Sequence, residues 1–346
     1  MKIRRGQLNL QCVPVGVCLV LTLAFSSFAK EPQYKYFRTG NTADIQTKTQ
    51  AGFVLLGGGT DVDRAFQWMC ERSGGGDFLI LRATGDDDYN PYIQGLCHIN
   101  SVATLVLPNR AAAEDLFAAE AIRHAEAVFI SGGDQANYIN FWVGTPVQKA
   151  LNEVLARHVP IGGTSAGLAV LGEFVYSAQG DAPDGAALTS PEVLLNPFDP
   201  RVTIVRQFVD IPLLKDVITD THFSVRNRLG RTLVFMARIL QDGKVRRVRD
   251  IAVDQGAGVL LDADGIGTVV GEGFAYFMEA TQNPEVCKAN TPLTFRGIAV
   301  RSLHANERFD VRQWSSNEGV SYTLSVESGT IHSTLPGGAV YTNGSK

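Results

Sequence analysis

The sequence predicts an α/β protein: a mostly parallel sheet with helices on both faces and a small C-terminal β extension. Three observations carry this. From residue 51 onward, short apolar runs alternate with helical patterns. The runs are continuous rather than alternating, as strands buried on both sides must be. After about residue 240, strands separated by Gly, Asp and Asn turns replace that alternation. At 346 residues, 45% hydrophobic and 19% charged, the chain is able to bury a sizeable core.

The N-terminus comes first. Lys2, Arg4 and Arg5 precede the apolar run 12–25, and small residues follow at Ser27 and Ala29. This three-part pattern predicts a secretory signal over 1–29, cleaved after Ala29. The run is shorter than the ~20 apolar residues of a spanning helix, and no later segment predicts one, so no membrane partner is expected. Removing it takes three positive charges from a formal net charge of −4 and leaves −7. An acidic chain of this kind counts against nucleic acid as a partner. Cys70, Cys97 and Cys287 remain, with spacings that fit no metal motif. An oxidising compartment permits one disulfide; the sequence leaves the pairing open, with Cys70–Cys97 favoured.

Residues 30–50 are polar and predict an extended arm. Residues 51–56 (AGFVLL) predict a buried strand, 57–60 a turn, and 61–73 a helix opened by an acidic cap. Strands are predicted in GDFLILRAT and SVATLVLP. AAAEDLFAAEAIRHA predicts one helix, AVFISGG a strand, and TPVQKALNEVLARH a helix with Pro146 in its first turn. VPIGGTSAGLAVLGEF then runs from strand into helix. The β-rich text of 256–279 and 319–331 places an α/β domain over 51–280 and the extension over 281–346. No repeat or low-complexity linker interrupts this single unit.

The chemistry concentrates in two stretches. Residues 163–167, G-T-S-A-G, match G-x-S-x-G between a predicted strand and a predicted helix. In a nucleophile elbow the serine sits on a sharp turn where only small neighbours allow close approach, and the next N–H, here of Ala166, can stabilise an oxyanion. An ordinary buried turn requires the same small residues. A serine needs a base, and of six histidines five (His98, His124, His158, His304, His332) lie in text without other signals. His222 differs, standing in ITDTHFSVRNRLGR with Asp220, Arg226, Arg228 and Arg231. Three arginines so close suit bidentate recognition of a carboxylate or phosphate; the alternative is a solvated helix face. The glycine turns at 55–61 and 130–135 could admit substrate or simply turn the chain. The first lacks the spacing of a phosphate loop or dinucleotide fingerprint.

SGGDQ, GGTSAG and DTHFSVRNRLGR, in that order, resemble the cyanophycinase family of serine peptidases, which also includes aspartyl dipeptidase. The likeness runs from about residue 51 to 275. It implies a sheet related to class I glutamine amidotransferases, with Ser165 as nucleophile and His222 as base. It also implies a triad acid some fifteen to eighteen positions after the serine, for which Asp181 is preferred over Asp184. Gln135 falls where the family has a substrate-contacting glutamine, and Gly133 joins Ala166 as an oxyanion donor by analogy. Arg226, Arg228 and Arg231 match the family's arginines beyond the histidine, and with Asp220 and Thr221 they are the expected substrate-binding residues. Thr221 departs from the pattern, since cyanophycinases commonly have glutamine there, and this puts exact specificity in doubt.

The resemblance therefore implies a secreted or periplasmic serine peptidase that hydrolyses cyanophycin (multi-L-arginyl-poly-L-aspartate) to β-Asp-Arg dipeptides. Such a reaction calls for no metal or organic cofactor. The expected partner is cyanophycin or a related aspartyl/arginyl peptide, and a homodimer is allowed. Three alternatives stay open: an aspartyl or isoaspartyl peptidase, an esterase with the same elbow, and a non-catalytic secreted binding protein. The gap of 57 residues from Ser165 to His222, and the arginines beyond it, are unlike an α/β-hydrolase esterase.

Overall fold

The computed structural model describes residues 33–181 and 188–342. The signal expected over 1–29 and the alternative acid Asp184 lie outside the described residues. The strands are β1 (Lys35–Gly40), β2 (Gly52–Leu56), β3 (Asp77–Arg82), β4 (Ser101–Val106), β5 (Ala127–Ile130), β6 (Ile161–Thr164), β7 (Phe174–Tyr176), β8 (Ile204–Arg206) and β9 (Val217–Asp220). They continue with β10 (Val248–Val253), β11 (Ala257–Asp262), β12 (Ile266–Gly271), β13 (Ala275–Ala280), β14 (Val286–Lys288), β15 (Thr291–Leu303), β16 (Arg308–Asp310), β17 (Val320–Glu327) and β18 (Thr330–Ser333). The helices are α1 (Asp63–Arg72), α2 (Tyr89–Leu96), α3 (Arg110–Ala113), α4 (Leu116–Arg123), α5 (Gln135–Trp142), α6 (Pro146–Ala156), α7 (Ala166–Ala169), α8 (Ser190–Leu195) and α9 (Leu229–Gln241).

The first sheet has the order β1-β4-β3-β5-β6-β2-β11-β12-β16. Its five central strands, β4 to β2, are parallel, because each returns through a helical crossover. The strands flanking them are antiparallel, joined by short turns or added as edges. The sheet is therefore mixed rather than mostly parallel. The arm expected over 30–50 supplies β1, which pairs with β4 from Lys35 to Gly40. Arg38 reinforces that edge through a 3.1 Å ion pair with Asp77.

Both faces of the parallel part are covered, which is why β2 is buried at every residue. Phe66 and Met69 of α1 and Ile93 of α2 pack on one face. Ile122 of α4, Tyr138 of α5 and Leu151 of α6 pack on the other, in a core that also receives Ile251, Val253 and Phe277 from the second sheet. The single helix expected over 111–125 is two, α3 and α4. The break comes at Asp115, whose carboxylate caps the Phe117 N–H at 2.9 Å.

The second sheet runs β18-β17-β15-β13-β10-β9-β7-β8, with β14 paired to β15. Only β10-β9 and β9-β7 are parallel in it. Residues beyond 281 are thus no separate extension. Phe295, Val300 and Leu324 share a core with Leu233 and Met236 of α9 and with Ile218 of β9. Cys70 of α1 and Cys97, just after α2, form a disulfide, and Cys287 is buried and free.

Candidate functional site

The C-terminal ends of β6, β2 and β9 converge on one point. Ser165 directly follows β6, with its N–H bonded to Leu56 O of β2 at 3.1 Å. Its backbone has φ 53° and ψ −119°, a conformation L-residues rarely adopt, before the chain enters α7. The small residues of G-T-S-A-G have a steric cause: a Cβ on Gly167 would lie 2.0 Å from Ile130 O, and one on Gly163 2.4 Å from the Gly167 carbonyl.

His222 follows β9 by two residues, at φ 47°. Its N–H donates to Gly57 O at 2.8 Å, which ties it to the glycine turn after β2. That turn lies against the imidazole so closely that a Cβ on Gly58 would meet Cε1 at 2.4 Å. The glycines of 57–59 are therefore packing requirements of the site rather than ordinary turn residues. The resulting geometry brings Ser165 Oγ to 2.7 Å from His222 Nε2. Burial, helped by the Arg226 and Arg228 guanidiniums, pushes the imidazole pKa down to about 4. The ring is neutral at neutral pH and able to accept a proton.

The other face of the imidazole meets Gln255, which follows β10 by two residues. Its amide Nε2 is 2.7 Å from His222 Nδ1. With that nitrogen donating to Nδ1, the ring proton would sit on Nε2, facing Ser165. Turning the amide by 180° puts Oε1 against Nδ1–H and frees Nε2 to accept from the serine hydroxyl. Asp181, expected in this role, is elsewhere: its carboxylate accepts from the Tyr176 hydroxyl at 2.5 Å. Sequence reading missed Gln255. Its one local signal is Asp254-Gln255, two polar residues between the apolar strand β10 and a glycine.

The pair opens into a cleft of about 620 Å³. Ser131, Gly132 and Thr164 flank Ser165, and Arg226 stands at the mouth as an exposed cation. The lining continues with Asp61 before α1, Asp63 at its start, Arg82 at the end of β3, and Asp88, Tyr89 and Tyr92 of the α2 region. The Tyr92 hydroxyl donates to Asp63 at 2.6 Å, and burial raises the Asp61 carboxyl above its ordinary range. The Cys70–Cys97 disulfide joins α1 to the chain just beyond α2, behind this wall.

The arginine cluster divides. Arg226 alone of the three lines the cleft. Arg231 is buried and pairs in a fork with Asp220: its Nε donates to Oδ2 at 2.9 Å, and its second nitrogen donates to Oδ1. Asp220 also accepts from the Thr232 hydroxyl at 2.8 Å and the Thr221 N–H at 2.7 Å, leaving it no capacity for substrate. The paired cations hold its carboxyl below the usual range despite full burial. Arg228 donates to Thr221 O at 2.9 Å and to its hydroxyl at 3.0 Å. Asp220, Thr221, Arg228 and Arg231 thus form a buried brace behind His222, because the end of β9 and the start of α9 pack together there. Gln135 is half-buried at the start of α5 and outside the cleft lining; Gly133 and Ala166 directly follow the lining residues Gly132 and Ser165, so their N–H groups belong to peptides at the cleft edge.

Residues 95–194, which include Ser165 but stop short of His222, match the family model of Peptidase family S51. A cyanophycinase of Trichormus variabilis is 27% identical over 191 residues, 54% of this chain and 57% of that protein. One of Synechococcus elongatus is 26% identical over 278 residues, 75% of this chain and 80% of that protein. The chain thus spans a little over half the length of the first of these relatives. A solved structure, a peptidase from an acI-B1 Actinobacterium, is similar with a TM-score of 0.48 at 16% identity, over 77% of this chain and 98% of that one.

Proposed function

We propose that this chain, a member of the cyanophycinase-like peptidase family S51, is a secreted serine peptidase that cleaves cyanophycin or a related β-linked aspartyl-arginine peptide. The observation that carries this reading is the 2.7 Å contact between Ser165 Oγ and His222 Nε2 at the floor of an open cleft. In it, Ser165 occupies a nucleophile elbow on a sheet related to class I glutamine amidotransferases.

The chemistry follows from the contact. Ser165 Oγ forms a bond to the scissile carbonyl carbon while its proton passes to His222 Nε2. The tetrahedral oxyanion is met by backbone N–H groups of 132–133 and of Ala166. Collapse breaks the C–N bond, and His222 returns the proton to the leaving amine. Water, deprotonated by the same imidazole, then releases the acyl group from Ser165. Gln255 takes the orienting role expected of Asp181, holding the imidazole without adding charge.

The substrate class is supported by side chains of both charges in the cleft lining. Cyanophycin carries arginine on each β-carboxyl of polyaspartate, so each repeat offers a guanidinium and a carboxylate. Arg226 suits the carboxylate, while Asp61 with the faces of Tyr89 and Tyr92 suits the guanidinium. A disulfide in a chain with a signal-like N-terminus supports a secreted or periplasmic location. The test is incubation with purified cyanophycin and mass spectrometry of the products. β-Asp-Arg dipeptides that vanish with Ser165→Ala support the reading. Turnover unaffected by Ser165→Ala, or hydrolysis of simple esters alone, refutes it.

A further inference from the structure

We propose that Tyr138 is a positioning residue that fixes the oxyanion-binding loop 131–133, holding two successive carbonyls back so that the Gly132 and Gly133 N–H groups face the reacting carbonyl beside Ser165. This rests on the serine-peptidase reading above.

Tyr138 lies one turn into α5 and is 1% exposed. Its hydroxyl reaches the carbonyl oxygen of Ser131 at 2.9 Å and that of Gly132 at 3.0 Å, so one proton is shared between consecutive peptides. In a planar trans peptide the N–H points opposite to the C=O. Drawing both carbonyls toward Tyr138 therefore turns the N–H of Gly132 and of Gly133 away from it. Among the described residues neither N–H is taken up by an acceptor. Gly132 lies in the cleft wall, and a Cβ built on it would be 3.5 Å from Ser165 Cβ, so the two peptides that Tyr138 holds meet at a residue beside the nucleophile.

Within the loop the Ser131 hydroxyl also donates to the Gly132 carbonyl, at 3.2 Å, while the Ser131 carbonyl is left to Tyr138. Gly133 has φ 148°, and a Cβ there would stand 3.0 Å from the Tyr138 hydroxyl. The hydroxyl is held in turn by rigid packing: the Tyr138 ring stacks on Trp142 at 4.4 Å, and the Trp142 indole N–H donates to Leu107 O at 3.3 Å. Burial keeps the phenol protonated and thus a donor. An oxyanion donor is effective only if it is in place before charge develops, which is the service an anchored hydroxyl behind the loop provides.

The test uses Tyr138→Phe, which keeps the ring and removes the proton. A positioning role predicts that kcat on cyanophycin and the rate of Ser165 labelling by a fluorophosphonate both fall about 10- to 100-fold. Affinity for the β-Asp-Arg product, measured by titration with Ser165→Ala as the parent background, should stay within about twofold, because the ground state makes little use of the hole. Trp142→Phe, which loosens the same packing but keeps the hydroxyl, should lower the melting temperature yet leave kcat within about threefold. Equal loss of product affinity and rate, or an unchanged labelling rate, overturns the proposal. Should Tyr138→Phe fail to fold, the intact protein still decides. With glycine amides labelled by 15N, the Gly132 and Gly133 protons should shift downfield on forming the fluorophosphonate adduct, and no shift at either overturns it. Failure of the underlying reading looks different: the wild-type protein is then either not labelled at Ser165, and the inference falls with it, or is labelled but leaves cyanophycin uncut, and the labelling rate alone tests Tyr138.

Discussion

His222 Nδ1 and the side-chain amide of Gln255 are 2.7 Å apart, so the imidazole paired with Ser165 is oriented by a neutral group. An amide can select the tautomer, but it does not stabilise an imidazolium as a carboxylate does. Gln255→Ala should therefore leave the fold intact and lower kcat by about 100-fold, the cost of a mis-set reacting group. Gln255→Glu should raise the His222 pKa, so the acid limb of kcat/KM moves to higher pH. A pH–rate profile with no shift in the glutamate variant would remove Gln255 from this role.

Asp181 gives the complementary expectation. Its carboxylate serves the Tyr176 hydroxyl rather than His222. An amide oxygen can accept the same bond, so Asp181→Asn should retain activity within about tenfold. Loss of about 10⁴-fold, as when a triad acid is amidated, would return Asp181 to the triad.

The pH dependence of the native protein follows from His222. Its native pKa of about 4 lies below the unfolded value of about 6.5, so the unfolded chain binds this proton first. This group's contribution to stability is whole above about pH 6.5 and is lost as pH falls toward 4. Activity, which needs the neutral ring, should hold through mildly acidic pH and fall only near 4. Thermal melts and kcat/KM measured from pH 3.5 to 8 check both, and an acid limb at 6.5 would contradict the burial of this ring.

The sequence was most legible where local pattern and fold agree. Continuous apolar runs marked β2 to β6, since strands covered on both faces need no polar alternation. G-T-S-A-G marked the sharp turn at Ser165, because the close approach of Gly167 to Ile130 demands small residues. What stayed hidden is whatever tertiary pairing alone decides. Gln255 lies 33 positions beyond its histidine and is brought there only by β10 packing beside β9. The arm became β1 because β4 offered a free edge, which no feature of residues 35–40 announces. Arg226 and Arg231 look alike in the sequence. The helix that begins between them buries one against Asp220 and leaves the other in the cleft.

That division supplies a stability prediction. Arg231→Met leaves Asp220 buried without its fork partner and should cost about 3–5 kcal/mol, with a lowered melting temperature. Activity per folded molecule should change less than stability. A variant as stable as the wild type but defective on cyanophycin would mean that Arg231 meets substrate.

Arg226 should behave in the opposite way, and its two effects can be separated. It is exposed at the cleft mouth and is the largest charged contributor, after burial, to the depressed His222 pKa. Arg226→Gln should leave the melting temperature within about a degree or two, as surface changes usually do. If the guanidinium grips a substrate carboxylate, kcat/KM on cyanophycin at pH 7 should drop about 10- to 100-fold, the worth of a charge-assisted bond of about 1.5–3 kcal/mol. The same substitution removes a positive charge beside the imidazole, so the acid limb should move up from about 4. Arg226→Lys separates the two effects: it keeps the charge and hence the limb, but replaces the planar fork with a point charge, so most of the loss in kcat/KM should remain. In the substrate complex a carboxylate on Arg226 partly cancels its field. The acid limb of kcat should therefore lie above that of kcat/KM in the wild type, and the gap should close in Arg226→Gln. Limbs that coincide in the wild type, with full activity in both variants, would leave Arg226 as a solvated surface charge.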